Sequence, residues 1–571
     1  MKKKLLTLIL ASVIASTTVL AGCKEAATSS DPSTKPSGST DSNVPKFEDI
    51  AFPDNLPVKP PMAEKGWYGY DNLDKKYSIE IFTHNYGKPA LSAEEDPVNQ
   101  WLSKKFNLDI KFTAINNADV ETTLSTRFAA NDEPDVMYLP TREMAFTLNE
   151  QNLLVDAKKI YPYMPQTTKF ATKNMVAWST APNGVIPFIT KYGIQDGVWG
   201  FAVRQDWLKK LNMQPPTTKA ALLEYAKACT FNDPDGNGKA DTYFMTGAGN
   251  GQGWGMLGGF NTMFGNPNAT VENGALSHPL FNGVQKTYLS FLKELYDAKV
   301  LAPDWYTIEW EKAKSYTMND KVGMVWYPAG ALYQEYTAAK NKAPESLNVW
   351  QYYKETPIEN GKYNPSGNPG YMWGFSAKKF EDEAKLKRVA HMLDTMVIGG
   401  ENFFQTIQSS CDEVYAAAGI KVETKRETVY NEDGTFYLKN ENKFPYESGG
   451  KYEALGPWQH FGLSVIWQMS APSDDPFDGP YGEKTNEYAK IINSYDRWPN
   501  EGLKITLGEE ASTAQASITD FVNAQELAFV TGKRDFSEWD TYTKEWLNKG
   551  GKAIIADIAK CLNAPVPDYA K

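Results

Sequence analysis

Between Asp233 and Asp241 the chain reads Asp233-Pro234-Asp235-Gly236-Asn237-Gly238-Lys239-Ala240-Asp241. Counted from Asp233, oxygen ligands stand at positions 1, 3, 5, 7 and 9: Asp233, Asp235, Asn237, the Lys239 carbonyl and Asp241, with Gly238 at position 6. That spacing suits a hard cation wrapped by a sharp turn, and calcium is the expected occupant. Position 12 is Phe244, so the bidentate Glu of an EF-hand is missing and water or a carbonyl must complete the shell. A polar Asx-type turn that needs no metal has the same residues.

Other chemistry is weakly supported. Gly253-Trp254-Gly255-Met256-Leu257-Gly258 spells G-x-G-x-x-G but follows a polar Gly/Asn stretch where a dinucleotide fold requires a strand. His84, His278, His391 and His460 are far apart, which gives zinc no support, and neither a nucleophile elbow nor a P-loop is present. A glycoside hydrolase would need two carboxylates at a defined separation. Asp304, Glu309 and Glu311 are close in sequence, yet acid-rich surface stretches look the same. Cys229, Cys411 and Cys561 form an odd set without C-x-x-C spacing, which indicates neither a disulfide framework nor a thiolate metal site.

The elements that must position these groups begin after an export signal. Lys2, Lys3 and Lys4 precede an apolar stretch from Leu5 to Leu20 that ends in Leu20-Ala21-Gly22-Cys23. This is a lipoprotein signal peptide over residues 1–22, with Cys23 the acylated, palmitate-bearing residue that anchors the chain at the extracytoplasmic face of a bacterial membrane. Residues 23–48 are poor in large apolar side chains and read as a flexible tether. The remaining chain, 42% hydrophobic and 13% aromatic in overall composition, is long enough for two lobes. A formal charge of −11 speaks against nucleic acid as a partner, because phosphate binding needs a concentrated basic surface.

From Tyr77 onward, strand-like and helix-like segments alternate. Ser78–Thr83, Asp109–Ala114 and Asp135–Leu139 read as strands, and Pro97–Phe106 and Val120–Ala130 as helices, the signature of a parallel α/β sheet. Val185–Thr190 and Gly200–Val203 are further strands, followed by helices at Lys219–Cys229, Val284–Ala298 and Ala384–Met396. The ligand crevice of such a sheet lies outside the carboxyl ends of its strands, which selects His84-Asn85-Tyr86 and Pro140-Thr141-Arg142-Glu143. Residues 425–510 carry turn chemistry and yield no element assignment.

Val203-Arg204-Gln205-Asp206-Trp207-Leu208-Lys209-Lys210-Leu211, followed by Pro216-Thr217-Thr218, resembles the R-x-D-W-L-x-K-L…P-x-T segment of family 1 extracellular solute-binding proteins. The branch it resembles is that of large Gram-positive lipoproteins related to alginate-oligosaccharide binding proteins. The calcium-type loop, Val322-Gly323-Met324, Phe529-Val530-Thr531-Gly532-Lys533-Arg534 and Glu538-Trp539-Asp540 also fit, so the likeness spans nearly the whole mature chain. In that family an acid often follows loop position 9, where this chain has Thr242, and the bound ion is structural.

The resemblance implies a two-lobed, type II periplasmic-binding-protein-like α/β fold with discontinuous lobes. The lobes are expected over residues 49–190 plus about 366–425 and 191–365 plus about 426–571. It implies an oligosaccharide held by lobe closure, presentation to membrane permease subunits served by a separate cytoplasmic ATPase, a monomer, and no catalysis. Sugars need flat apolar faces and planar polar groups. Trp254, Trp326, Tyr327, Tyr371 and Trp373 supply the faces, while Asn85, Tyr86 and Arg142 fall in strand-end loops that line the cleft of the family. Trp199 either joins them or packs at the hinge. Each aromatic could equally serve ordinary packing. With seven arginines in the chain, a strongly polyanionic ligand is less favoured than a neutral or weakly acidic one. A peptide-binding or sensory lipoprotein on the same scaffold is the alternative.

Overall fold

In the computed structural model the described residues are 44–54, 68–85, 90–193, 199–341, 343–354, 362–363, 371–397, 400–401 and 494–571, with shorter stretches between 414 and 492. Cys23, Tyr86, Cys411 and His460 lie outside them. Among the described residues no helix is long and apolar enough to cross a membrane.

The strands, in chain order, are β1 (Tyr77–Asn85), β2 (Leu108–Asn116), β3 (Val136–Leu139), β4 (Ile189–Thr190), β5 (Tyr192–Gly193), β6 (Trp199–Arg204), β7 (Thr270–Glu272), β8 (Ala275–Ser277), β9 (Met324–Pro328), β10 (Trp350–Tyr352), β11 (Met372–Phe375), β12 (Arg426–Tyr430), β13 (Phe436–Asn440) and β14 (Ser464–Val465). The β-branched and aromatic run of β1 pairs in parallel with β2 over nine residues, from Tyr77↔Leu108 to Asn85↔Asn116. The first sheet has the order β2-β1-β3-β11-β4. Its strand β11 runs antiparallel to both β3 and β4, with Met372 opposite Leu139 and Thr190. Asn85, Asn116, Leu139, Thr190 and the start of β11 therefore share one edge.

Helices stand where N-terminal caps and apolar faces place them. Asp96 accepts from the backbone N–H groups of Val98 and Asn99 at the start of Pro97–Lys105, and Thr141 from that of Met144 at the start of Arg142–Glu150. Thr218 caps Lys219–Phe231 in the same way. A second sheet has the order β10-β6-β9, with β6 antiparallel to both neighbours. Parallel bridges Tyr243↔Val322 and Met245↔Leu301 extend it. The segments ending near Met245, Leu301 and Pro328 thus all run toward the edge marked by Trp199, which pairs with Pro328.

Two separate hydrophobic cores make the fold two-lobed α/β. One gathers residues from Tyr77 to Ile189 and from Met372 to Val397; the other gathers residues from Phe201 to Tyr352 and from Tyr488 to Ala570. Trp458 and Phe461, expected in the second lobe, pack in the first core. Trp458 stacks on Phe112 at 3.9 Å and donates through Nε1 to Asp96 at 2.6 Å. A further correction concerns Val185–Thr190, of which only Ile189–Thr190 is strand. Pro187 lacks the N–H a ladder needs.

Candidate ligand-binding cleft

The chain passes from the first core to the second between Thr190 and Trp199, and back between Tyr352 and Met372. Both passages leave from the sheet edges just described. Groups there are the ones a ligand touching both lobes can meet.

At the first edge, His84 and Tyr138 lie 4.4 Å apart and His84 and Tyr371 4.9 Å apart, ring centroid to centroid. The Lys191 ammonium sits 5.2 Å from the Tyr371 ring centre. Burial lowers Lys191 to about 7, and burial together with the Lys191 charge lowers His84 to about 4. Asn85 closes the end of β1, donating from Nδ2 to the Ala114 carbonyl at 3.1 Å. Tyr371 is half-buried against His84 and Tyr138.

Arg142 departs from expectation. Its guanidinium lies over Phe146 and Trp178, at 4.9 and 5.1 Å, and donates to the Ile505 carbonyl at 2.6 Å and to Thr506 Oγ1 at 2.7 Å. Ile505 packs on the second core. The fork expected to face ligand hydroxyls is therefore occupied in joining the lobes.

The second edge is aromatic. Trp199 is 38% exposed, with Trp310 at 5.9 Å and Tyr327 at 6.3 Å. Trp254, half-buried, stacks parallel to Trp305 with centroids 6.1 Å apart and has Tyr306 edge-on at 5.7 Å. Its loop is tied to the neighbouring one by Gly247 N–H to the Trp305 carbonyl, Asn250 N–H to Ile308 and Gly251 N–H to Tyr306. Trp326 is half-buried against Phe201 and lies so close to Gly259 that a Cβ there would stand 2.7 Å from the indole.

Two expected platforms are core residues. Trp373 is 0% exposed, with Phe461 at 5.0 Å, because β11 is an interior strand whose residues are all buried. Tyr327 is 1% exposed, stacks on Trp310 at 5.2 Å and donates to Glu335 at 2.6 Å. Trp305, Tyr306 and Trp310 were not anticipated. Trp305-Tyr306 follows the apolar Val300-Leu301-Ala302, the pattern that singles out Trp326-Tyr327.

The calcium-type loop is a separate feature. Asn237 and Gly238 N–H groups donate to Asp233 at 3.0 and 3.1 Å, and Asn237 Nδ2 bridges Asp235 at 2.7 Å and Asp241 at 3.1 Å. Gly236 and Gly238 take φ of 73° and 75°, the left-handed turns the wrapping requires. The Lys239 N–H donates to the Asn237 side chain, and Lys321 pairs with Asp241 at 2.6 Å. Asp235 is raised above its ordinary value, by burial first and by the neighbouring acids Asp233 and Asp241. Among the described residues no three His, Cys, Asp or Glu side chains are gathered as a metal cluster. Asn237 Nδ2 lies between the Asp235 and Asp241 carboxylates while Asp233 accepts from the backbone of the same turn, and the oxygens of Asp233, Asp235, Asn237, Lys239 and Asp241 are of the type a hard cation takes.

Two of the three acids weighed for hydrolysis, Asp304 and Glu311, are engaged by lysines. Asp304 accepts from Lys312 at 2.5 Å and Tyr316 at 3.1 Å, and Glu311 pairs with Lys314 at 3.5 Å. Lys314 also reaches Glu335.

Two discontinuous α/β lobes meeting at such edges define the architecture of a periplasmic-type solute-binding protein. No family model matches the chain. It is 25% identical over 496 residues to Lipoprotein LipO of Bacillus subtilis, covering 83% of this chain and 90% of LipO. It is 23% identical over 468 residues to the polygalacturonan/rhamnogalacturonan-binding protein YtcQ of the same organism, covering 80% and 86%. It is also 23% identical over 515 residues to the fructooligosaccharide ABC transporter substrate-binding protein FusA of Streptococcus pneumoniae, covering 83% and 88%. The solved structure of FusA with kestose superposes with a TM-score of 0.60 at 16% identity, over 85% of this chain and 99% of that one. An EF-hand mutant of FusA gives 0.60 at 16% identity over 85% and 98%. The alginate-binding protein AlgQ2 without calcium ion gives 0.59 at 16% over 86% and 98%. The chain is similar to these proteins over most of its length and shares the two-lobed fold of the solved structures, in line with the family 1 resemblance.

Proposed function

We propose that this protein binds an oligosaccharide between its lobes and presents it, on lobe closure, to the permease subunits of an ABC importer. The observation that carries the reading is the second sheet edge, where Trp199, Trp254, Tyr306 and Trp326 offer partly exposed aromatic surface beside the crossing to the first lobe. Pyranose and furanose rings lie on such faces, and hydroxyls meet Asn85 and backbone groups of the opposite edge. A ligand that touches both edges favours the closed state by its differential affinity for it, which is what a transporter can sense. Fructooligosaccharide and polygalacturonan/rhamnogalacturonan recognition by FusA and YtcQ supports a carbohydrate ligand.

In this reading the chain is a monomer that turns over no substrate, and ATP is hydrolysed by a separate cytoplasmic subunit. Cys23 carries the lipid and the residues after it tether the lobes to the extracytoplasmic face; the tether, expected to run to residue 48, ends by Phe47, which packs with Phe52 and Tyr161 on the first core. Calcium bound by Asp233, Asp235, Asn237, the Lys239 carbonyl and Asp241 serves structure, as the EF-hand of FusA and the calcium of AlgQ2 suggest by analogy. It would neutralise the crowded carboxylates, and the loop lies in the second lobe after the helix Lys219–Phe231.

A thermal-shift and calorimetric screen across neutral and uronic oligosaccharides, with the sugar recovered afterwards, tests the proposal. At least one class should bind with micromolar or tighter affinity and be recovered intact. Cleavage of the recovered sugar, or binding of peptides alone, overturns it. Cys23→Ser should move the protein from the membrane to the soluble fraction.

A further inference from the structure

Glu526, on the helix Glu509–Val530, is 6% exposed in the second core region. Its carboxylate accepts from three elements at once: Trp254 Nε1 at 3.3 Å, Gln285 Nε2 at 2.9 Å and the Tyr542 hydroxyl at 3.3 Å. Trp254 belongs to the loop at the cleft edge, Gln285 to the helix Val284–Asp297 and Tyr542 to the helix Trp539–Trp546. Among the described residues no Lys, Arg or His forms an ion pair with this carboxylate. A buried carboxylate without a cation is costly unless its hydrogen bonds are needed.

We propose that Glu526 is a positioning residue that fixes the Trp254 indole at the cleft edge and makes that grip depend on a proton. The inference rests on the reading of Trp254 as a ligand platform. An ionised carboxylate only accepts, and all three neighbours donate to it. Once Glu526 is protonated it must itself donate. Gln285 and Tyr542 both bond Oε1 and can turn to accept from a proton there, while Oε2 still accepts from the Trp254 indole N–H. Protonation therefore changes the Trp254 bond from charge-assisted to neutral and weakens the hold on the indole. The indole is held on one face by Trp305, so rotation about its side-chain torsions is the freedom that the Glu526 contact removes.

The surroundings place the proton on Glu526 and on no neighbour. Burial pushes its carboxyl up to about 7, against hydrogen bonds from Gln285, Trp254 and Tyr542 that favour the charge. The other titratable groups facing it are Tyr288 on the Gln285 helix, Tyr306 beside Trp254 and Tyr542; all three phenols are raised, first by burial, and stay neutral. Arg534 lies beyond Tyr542, with its guanidinium 5.7 Å from that ring.

The mature protein labelled with 5-fluorotryptophan provides the test, with the Trp254 resonance assigned by Trp254→Phe. In the wild type that resonance should move with pH, with a midpoint near neutrality, and in Glu526→Gln it should stay still. Should it be indifferent to pH in the wild type, or titrate equally in Glu526→Gln, the positioning role is wrong. Kestose and trigalacturonate, as neutral and acidic probes, then test the platform. The probe that binds should shift the same resonance and bind roughly fivefold more weakly at pH 5.5 than at pH 8.5, a change that Glu526→Gln removes, because a charge-assisted hydrogen bond is about twice as strong as a neutral one. If a bound probe leaves the resonance unmoved, the platform reading falls, whatever the pH titration shows.

Discussion

Arg142 of the first lobe holds Thr506 of the second: Nη2 donates to Thr506 Oγ1 at 2.7 Å while Nη1 donates to the neighbouring Ile505 carbonyl at 2.6 Å. The segment it grips is fixed to the C-terminal helix, where Cys561 Sγ meets Thr506 and Asp557 accepts from the Gly508 N–H at 2.7 Å. Burial lowers the guanidinium to about 10, so it remains charged at neutral pH. This is a contact between the two bodies whose closure the proposed function invokes.

Arg142→Ala should therefore release the lobes. Hydrogen bonds to a charged group are worth about 2 kcal/mol, which sets the expected loss of stability in denaturant titration. The ligand-free variant should also show a larger radius of gyration by small-angle scattering. Arg142→Lys, which keeps the charge but has no planar fork, should fall between the two. Wild-type values of both quantities in the Ala variant would mean that the contact does not bind the lobes in solution.

Much of this was legible in sequence, and what was not has physical reasons. Strands β1, β2 and β3 and the helices Pro97–Lys105 and Val120–Ala129 between them follow from hydrophobic periodicity, whereas the helix Arg142–Glu150, capped by Thr141, begins where the sequence reads as a loop. Periodicity is blind to which strand is interior, so Trp373 and Trp326 looked alike although β11 buries the first completely. Arg142, read in a strand-end loop, opens the helix Arg142–Glu150, and its partners lie more than 360 residues away and carry no motif. Glu526 left no signal at all, being one acid in a helix whose contacts with Trp254 and Gln285 span 272 and 241 residues.

The buried Glu526 should also tax stability as pH rises. Its folded-state value is raised, so between about 4.5 and 7 the folded protein binds more protons than the unfolded chain, and stability falls with increasing pH through that interval. The full penalty, roughly 3 kcal/mol, is reached above pH 7. Glu526→Gln should be no more stable than wild type near pH 4.5 and gain relative to it up to pH 7. Parallel denaturation curves for the two proteins across that range would show that the carboxyl is ionised throughout.

Calcium should raise the melting temperature and chelation lower it. A ligand at a hundred times its dissociation constant adds about 2.7 kcal/mol of stability. Asp235→Ala removes a central donor and should abolish the response, with the sugar affinity of the folded fraction little changed. A metal-stripped wild type that melts identically with and without calcium makes the loop an Asx-type turn.

Trp199 and Trp373 separate recognition from packing, since the first is 38% exposed at the lobe crossing and the second is sealed within the first core. Trp373→Ala opens a large cavity beside Tyr138 and Phe461, and should cost about 3–5 kcal/mol of stability. The affinity of its folded fraction should hold, because no ligand reaches a fully buried ring. Trp199→Ala should behave oppositely. Its ring contributes edge contacts to Trp310 and Tyr327 but keeps much of its surface in solvent, so the melting temperature should change little. Oligosaccharide binding should weaken by about 2 kcal/mol, the scale of an interface hot spot and roughly a thirtyfold loss. Calorimetric titration beside a thermal melt measures both quantities on each variant. Normal binding by Trp199→Ala would remove it from the cleft and leave Trp254 and Trp326 as the platforms of the second lobe.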